Sequence, residues 1–93
     1  MALFFEWDKT KASASLKKHG VSFEEATTVF GDTASITIND PLHSGTEDRF
    51  IIIGFSHKNR LMVVVHTDRG DNIRIITARL ATRRERNFYD QSK

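Results

Sequence analysis

The sequence predicts a two-layer α+β domain in which helices pack against an antiparallel sheet. Segments with strand and helix patterns follow one another in the order β-α-α-β-β-β-β-α, and the connections between the last four strands are short enough for an antiparallel meander. A chain of 93 residues can form one hydrophobic core but not two. We therefore expect residues 1–93 to form a single domain.

Capping residues, hydrophobic periodicity and turn residues predict where each element begins and ends. Asp8 and Thr82 are suitable N-caps, and Thr82 stands three residues before Glu85, which is the capping-box spacing. Asn39-Asp40-Pro41 is expected to end a strand. The predicted elements are a strand at Leu3–Trp7, a helix at Lys9–His19 closed by Gly20, a second helix that starts at a Ser22–Glu25 capping box and ends at Gly31, strands at Ala34–Ile38, Arg49–Ser56, Leu61–Thr67 and Asn72–Leu80, and a final helix after Thr82.

The two strongest predicted strands, Arg49–Ser56 and Leu61–Thr67, carry apolar residues on both faces. The two small N-terminal helices can cover only one face of such a sheet. We expect either that the sheet curls on itself or that a partner covers the second face.

The composition limits both the chemistry and the location of the protein. The sequence contains no cysteine, which excludes disulfides, thiolate metal sites and a cysteine nucleophile. Its N-terminus lacks the preceding positive region and the apolar length of a signal peptide, and its longest apolar runs are too short to cross a bilayer. We therefore expect a soluble protein in a reducing compartment, the cytoplasm.

Four arginines follow the last predicted strand, namely Arg79, Arg83, Arg84 and Arg86. Arg79 lies where the strand ends, and the other three lie in the first turn of the next helix, whose free N–H groups and positive dipole favour anions. The phosphates of a nucleic acid would relieve this crowding, and so would an acidic partner protein. A solvated face of long side chains is the remaining interpretation.

The other polar side chains favour one reaction that needs no metal. The candidate metal-ligand cluster comprises Asp40, His43, Glu47 and Asp48. Its spacing matches no known metal site, so we interpret it as a solvated turn and expect no metal or cofactor. Arginine, histidine, lysine and tyrosine suit the cleavage of RNA, in which the ribose 2′-hydroxyl attacks its own phosphate.

Several segments together resemble the BrnT toxins of type II toxin–antitoxin systems, over nearly the whole chain. The most specific are KHGVSFEEA at 18–26 and IRIITAR at 73–79, followed by ATRRER at 81–86. The other matching residues are FEWD at 5–8, Lys11, Val29-Phe30, Glu47, Arg49, Leu61–Val65 and Tyr89. One position departs from the family, whose members usually carry Asn where this chain has Ser15. This departure is either a local packing change or a weakened site.

The resemblance implies a RelE-like fold, which agrees with the element order above, and a ribonuclease that stops translation. It also implies a cognate antitoxin, BrnA, which is a DNA-binding protein of the ribbon-helix-helix type. The complex would repress its own promoter, and the toxin would contact operator DNA only through that complex. An inactive homologue that serves only as an antitoxin-binding co-repressor is the main alternative, and Ser15 lends it some weight. A plain RNA-binding domain is the third possibility.

Carried over residue by residue, the resemblance implies a cationic site. Arg79 and Arg83 would hold the scissile phosphate, and His19 would act as general acid or base with help from Lys18. His19 is equally well explained as a cap of its helix end. Arg74 is expected on the opposite strand face from Arg79, because five residues separate the two.

The other expected RNA-binding residues are Arg49, Glu47, Arg84, Arg86 and Tyr89, with Arg49 and Glu47 as a positioning pair. Tyr89 or Phe88 would stack on an exposed base, as aromatic side chains commonly do with single-stranded RNA. Phe88 is more readily explained as the residue that fixes the last helix to the core.

Overall fold

The structure, a computed structural model, describes residues 4–44 and 48–92, and for residues 41–44 it describes the backbone alone. The elements are β1 (Phe4–Trp7), α1 (Lys9–His19), α2 (Phe23–Thr28), a 3-10 turn (Val29–Gly31), β2 (Ile36–Ser44), β3 (Asp48–Phe55), β4 (Leu61–Arg69), β5 (Asn72–Leu80) and α3 (Arg83–Gln91). Their order confirms the predicted α+β fold. None of the helices in these ranges is long and apolar enough to span a membrane.

The five strands form one sheet in the order β1-β5-β4-β3-β2. Strands β2 to β5 form the predicted antiparallel meander, and β1 adds to β5 in parallel. Strand β1 is short, and its partners in β5 are Asn72 to Ile75. The second half of β5 therefore lies at a sheet edge that β1 does not cover.

Helix α1 has the predicted bounds because a side chain begins it and a glycine ends it. Asp8 accepts hydrogen bonds at Oδ1 from the backbone N–H groups of Thr10 (2.7 Å) and Lys11 (3.1 Å). At the other end Gly20 has a φ of 69°, a left-handed conformation that glycine adopts without strain. Helix α1 therefore begins and ends where the sequence predicts.

The predicted capping box of α2 is only half formed. Ser22 Oγ accepts a hydrogen bond from the Glu25 N–H (3.0 Å), but the Glu25 carboxylate does not return to the helix start. It accepts hydrogen bonds from Ser56 Oγ (2.6 Å) and Arg60 Nε (2.9 Å) instead. The residue that was expected to cap α2 therefore connects it to the hairpin between β3 and β4.

Strand β2 continues through Asn39-Asp40-Pro41, so the predicted break at these residues is wrong. Strand β2 is the outer strand of the sheet and pairs only with β3. A proline is tolerated in such an edge strand, because its missing N–H can fall on the unpaired side. The pairing with β3 is nevertheless irregular between Asn39 and Ser44.

A β-bulge in β5 changes which residues share a face of the sheet. Thr77 pairs with Val65, but the next residue of β4, His66, pairs with Ile75. Ile76 is therefore not paired with a residue of β4. The alternation of side chains between the two faces of the sheet shifts by one residue at this point. Arg74 and Arg79 consequently lie on the same face, so the prediction that they lie on opposite faces is wrong.

The core has one cluster on each face of the sheet. On the face towards α1 and α2, which we call the helix face, the buried residues are Val21, Phe23, Ala26, Val29, Ile52, Met62, Val64, Ile75 and Ala78. On the opposite face, which we call the α3 face, they are Ile53, Leu61, Val63 and Tyr89. Helix α3 therefore covers part of the second apolar face, a role that the sequence analysis assigned to a curled sheet or a partner. Ile38 of β2 remains 41% exposed.

Candidate functional site

A cavity of about 240 Å³ lies between α1 and the uncovered edge of β5. Its lining comprises Lys11, Ala14, Ser15, Lys18, His19, Phe23, Ile76, Thr77 and Ala78. Pockets that enclose a whole small molecule usually start at about 300 Å³. The cavity is therefore suited to part of a larger substrate rather than to a free small molecule.

The rim of the cavity is cationic and its floor is apolar. Lys11 and Lys18 lie seven residues apart, about two helical turns, so both project from the same side of α1. His19 follows Lys18 at the end of the helix, and all three side chains are exposed. Phe23 and Ala78 of the floor are buried. Two predicted catalytic residues, Lys18 and His19, thus line one cavity that can hold an anion and supply a proton-transfer group.

Ser15 lies in the wall of this cavity and is buried. Its Oγ lies 3.1 Å from the carbonyl oxygen of Ala78 and 3.4 Å from that of Val21, and donates to these acceptors. The Ala78 carbonyl belongs to the part of β5 that β1 leaves unpaired. Ser15 therefore attaches α1 to the edge of β5, which is a packing role.

Arg79 lies next to the cavity on the α3 face of the sheet. It is two residues after Thr77 on the same face, so their Cα atoms are about 7 Å apart. Its Nη1 and Nη2 donate to the two carboxylate oxygens of Glu85, both at 2.7 Å. These hydrogen bonds hold the pKa of Glu85 down at about 2 and raise the pKa of Arg79. The guanidinium is therefore held in one orientation, and no described hydrogen bond occupies its Nε.

Glu85 also completes the predicted capping box of α3. Its Oε1 accepts a hydrogen bond from the backbone N–H of Thr82 (2.8 Å), and Thr82 Oγ1 accepts one from the N–H of Glu85 (3.2 Å). One carboxylate thus offsets both the helix dipole and Arg79. Arg83 and Arg84 in the same turn are exposed. Neither takes part in a hydrogen bond or ion pair among the described residues, which leaves both side chains available for an anion.

The other predicted RNA-binding residues lie further away. Arg86 places its guanidinium carbon 5.9 Å from the centre of the Phe55 ring, a cation–π contact against the core. Arg49 lies at the opposite end of the sheet, and the strand register puts its Cα roughly 16 Å from that of Arg79. The two arginines therefore lie at separate ends of the sheet. Glu47 lies outside the described residues, so its predicted pairing with Arg49 stays a prediction.

The predicted roles of Tyr89 and Phe88 are reversed. Tyr89 is only 1% exposed, its ring packs edge-on against Phe55, and its hydroxyl donates to Asp32 Oδ2 (2.8 Å). Burial raises the pKa of Tyr89 to about 12. The predicted stacking of Tyr89 on a base is wrong, because its ring has no free face. Phe88 is 44% exposed and is not the anchor of the helix.

Sequence reasoning assigned no catalytic or RNA-binding role to Lys11 and Thr77, which also line the cavity. Lys11 could have been found from its spacing to Lys18, because residues seven positions apart lie on the same side of a helix. Thr77 is a polar residue within an apolar strand, but only the position of α1 shows that it borders a cavity. Among the side chains that the structure describes, those of residues 4–40 and 48–92, no three from histidine, aspartate or glutamate converge as metal ligands.

The fold of this small α+β domain is also that of a known toxin. The structure is similar to the crystal structure of the Brucella abortus ribonuclease toxin BrnT, with a TM-score of 0.65, 17% sequence identity and coverage of 89% of this chain and 100% of that chain. At this identity the similarity shows the fold alone. The family model for the ribonuclease toxin BrnT of type II toxin–antitoxin systems matches residues 7–85. The chain therefore belongs to the BrnT family, as its sequence motifs predicted.

Membership in a type II toxin–antitoxin family implies that an antitoxin is the partner of this protein. No curated protein shows significant sequence similarity to the chain.

Proposed function

We propose that the protein is a metal-independent endoribonuclease that inhibits translation in the cytoplasm. The observation that carries this proposal is the cavity in which Lys18 and His19 lie beside β5. Arg79 follows Ala78 of the cavity lining and lies on the opposite face of that strand. Lys18 and His19 offer a positive charge and a proton-transfer group in one cavity, and we propose that the phosphate of the bound RNA reaches Arg79 around the exposed edge of β5. Family membership supports the ribonuclease activity.

The proposed reaction is a transesterification. The ribose 2′-hydroxyl attacks the adjacent phosphorus and loses its proton to a base, the bond to the 5′-oxygen breaks, and that oxygen gains a proton. His19 acts as general acid or base with Lys18, and Arg79 and Arg83 stabilise the charge on the phosphorane oxygens. The products are a 2′,3′-cyclic phosphate and a 5′-hydroxyl, so atoms and charges balance without a cofactor.

We further propose that the antitoxin is a BrnA-like protein of the ribbon-helix-helix type. It covers the cationic groups around the cavity, and RNA takes its place when the antitoxin is removed. The toxin reaches operator DNA only through this complex. The exposed Arg83 and Arg84 support an anionic or acidic partner at the first turn of α3.

One observation favours the alternative function, an inactive homologue that acts only as a co-repressor. The guanidinium of Arg79 is bound on one side by both oxygens of Glu85. An arginine held in this way stabilises α3 even if it never contacts a phosphate. The test of the proposed function must therefore separate the catalytic role of Arg79 from its structural role.

The test is cleavage of single-stranded RNA in EDTA by the purified, antitoxin-free protein. Arg79→Ala should lower the rate by about 10²–10³-fold, as expected for the loss of one stabilising donor. Arg74→Ala is a matched control, because Arg74 lies on the same strand and face and also binds a glutamate, Glu6, at 2.8 Å. It should cleave within a few-fold of wild type.

Fragments that end in 2′,3′-cyclic phosphate would support the transesterification. A strict requirement for magnesium would overturn the metal-independent mechanism. Equal losses in both arginine variants would assign Arg79 a structural role. Intact RNA combined with retained antitoxin binding and no growth arrest would favour the co-repressor.

A further inference from the structure

A second concave surface lies on the outer side of α1, away from the sheet. Its lining comprises Lys9, Thr10, Ser13, Ala14 and Lys17. Ala14 also lines the cavity that holds Lys18 and His19. The two concave surfaces therefore adjoin at one alanine. We call this second surface the α1 groove.

The α1 groove carries an excess of positive charge, although the exposed Asp8 directly precedes the helix. Helix α1 contains four lysines and no acidic residue. The described ion pairs of the protein use Arg60, Arg74 and Arg79, and none uses a lysine of α1. Lys17 lies in the last turn, where the helix dipole favours a cation, but Lys9 lies in the first turn, where the dipole opposes one. Lys9 therefore does not stabilise the helix through its dipole, but its charge is suited to an anionic ligand.

The chemistry of the groove suits a phosphate backbone better than a protein surface. Contacts to phosphate and sugar come from lysine together with the hydroxyls of serine and threonine, which are the side chains present here. The centres of protein interfaces are instead depleted in lysine and enriched in aromatic residues. Leu16, a large exposed apolar residue of α1, does not line the groove.

We propose that the α1 groove binds the phosphate backbone of the RNA that flanks the cleavage site. This inference rests on the proposed function, because the RNA in the groove is the same strand that occupies the cavity. Lys9 and Lys17 each neutralise a phosphate outside the cavity, and they take no part in proton transfer. They raise the affinity for long RNA and leave the reaction on a short RNA unchanged.

The test is binding of 2′-O-methyl RNA, which lacks the attacking hydroxyl and cannot be cleaved by the proposed reaction. Fluorescence anisotropy gives the affinity for a 4-nucleotide and a 16-nucleotide strand over a range of salt concentrations. Lys9→Gln and Lys17→Gln should each reduce the slope of log K against log salt for the long strand by about 0.7, the value for one lost contact to single-stranded nucleic acid. The affinity for the short strand should stay the same.

Lys58→Gln is the matched control, because Lys58 is also an exposed lysine but lies in the hairpin between β3 and β4. It should leave the slope unchanged. An equal reduction in all three variants would overturn the proposal, because it would indicate attraction by the overall charge. Wild-type protein that does not bind the long strand would overturn it as well.

Two further results separate the possible failures. If the lysine variants keep full RNA affinity but lose binding to poly-glutamate, the groove binds an acidic protein and the proposal is overturned. If the long strand binds as proposed but unmodified RNA is not cleaved, the ribonuclease function fails while the groove stands. Lys9→Gln also checks the fold, because removal of a cation from the first turn should not lower the melting temperature.

Discussion

His19 and Lys18 project from the end of α1 with exposed side chains. The helix itself is closed by the backbone of Gly20, whose N–H donates to the carbonyl oxygen of Leu16 at 3.0 Å. Among the described hydrogen bonds, none joins the His19 ring to a backbone carbonyl. The interpretation of His19 as a helix cap therefore has no support in these contacts, and its ring is available at the cavity.

The first prediction concerns His19. His19→Ala should lower the rate of RNA cleavage by about 10²–10⁴-fold, the usual contribution of general acid–base catalysis, with no loss of thermal stability. His57→Ala is the control, because His57 is also exposed but lies in the hairpin at residues 57–60. The assignment fails if the two variants cleave equally well.

His66 is the histidine whose environment affects folding. It is 5% exposed, packs against the rings of Phe30 and Phe50, and leaves its Nδ1 without a hydrogen-bond partner among the described residues. Burial lowers the pKa of His66 below its usual 6.5, although the nearby Asp68 opposes the shift. The folded state therefore favours the neutral ring, whereas the unfolded chain binds a proton below about pH 6.5.

The second prediction is that the free energy of unfolding falls as the pH decreases below about 6.5, because protons bind preferentially to the unfolded chain. His66→Phe replaces the ring by one that cannot ionise and should remove this part of the pH dependence. Urea unfolding at pH 7.5 and pH 5.5 measures it in both proteins. The same loss between these two pH values in both proteins would exclude His66 as its source.

At the scale of the elements, α3 is held to the sheet by Tyr89 and its contacts with Phe55 and Asp32. The third prediction is that Tyr89→Ala lowers the free energy of unfolding by about 3–5 kcal/mol, as removal of a buried aromatic side chain usually does. Phe88→Ala, on the exposed side of the same helix, should lower it by less than about 1 kcal/mol. Urea unfolding measures both changes, and comparable losses would mean that the two side chains share the anchoring.

The assignment of these two residues shows what the sequence could and could not provide. The capping box of Thr82 and Glu85 predicted correctly where α3 begins. The side of α3 that faces the sheet depends on where the helix crosses the strands, which is a property of the tertiary structure. Two adjacent aromatic residues gave no periodicity from which to choose, and Tyr89 rather than Phe88 was found in the core.

The bulge in β5 could not be predicted from the sequence, for a similar reason. The residues around it, Ile75 and Ile76, are both apolar and both buried, so a skipped residue leaves no break in the hydrophobic pattern. The alternation predicted the strand itself but failed to predict that Arg74 and Arg79 share a face. The charged partners of both arginines, Glu6 and Glu85, could be found only from the structure.

At the scale of the whole molecule, the formal net charge of +2 conceals an uneven distribution. Glu6, Glu25 and Glu85 are each bound to an arginine. The lysines of α1 and the exposed arginines at the start of α3 are left with excess positive charge on two sides of the same strand edge. The clusters of basic residues were visible in the sequence, but the position of the α1 lysines beside β5 results from the packing of α1 against that strand.

Glu25 connects three parts of the fold from an almost inaccessible position, since its side chain is 1% exposed. It lies in α2 and accepts hydrogen bonds from Ser56 and Arg60 of the β3–β4 hairpin. Arg60 also donates to the carbonyl oxygen of Gly20 at the end of α1 (3.3 Å). The hydrogen bonds from Arg60 hold the pKa of Glu25 at about 2, below its usual 4.5.

The fourth prediction follows from this depressed pKa. The stabilisation by the Glu25 carboxylate is complete above about pH 4.5, where the side chain is ionised in both states, and is lost as the pH falls towards about 2. Glu25→Gln should therefore be less stable than wild type at pH 7, because Arg60 and Ser56 lose their charged acceptor, and should lose less stability between pH 4.5 and 2.

Glu85→Gln is the comparison, because it removes the other carboxylate with a pKa of about 2 and leaves the Glu25 network intact. If Glu25→Gln and wild type lose stability equally over this range, the acid sensitivity of the fold originates elsewhere, and the connection through Glu25 between α1, α2 and the hairpin contributes little to it.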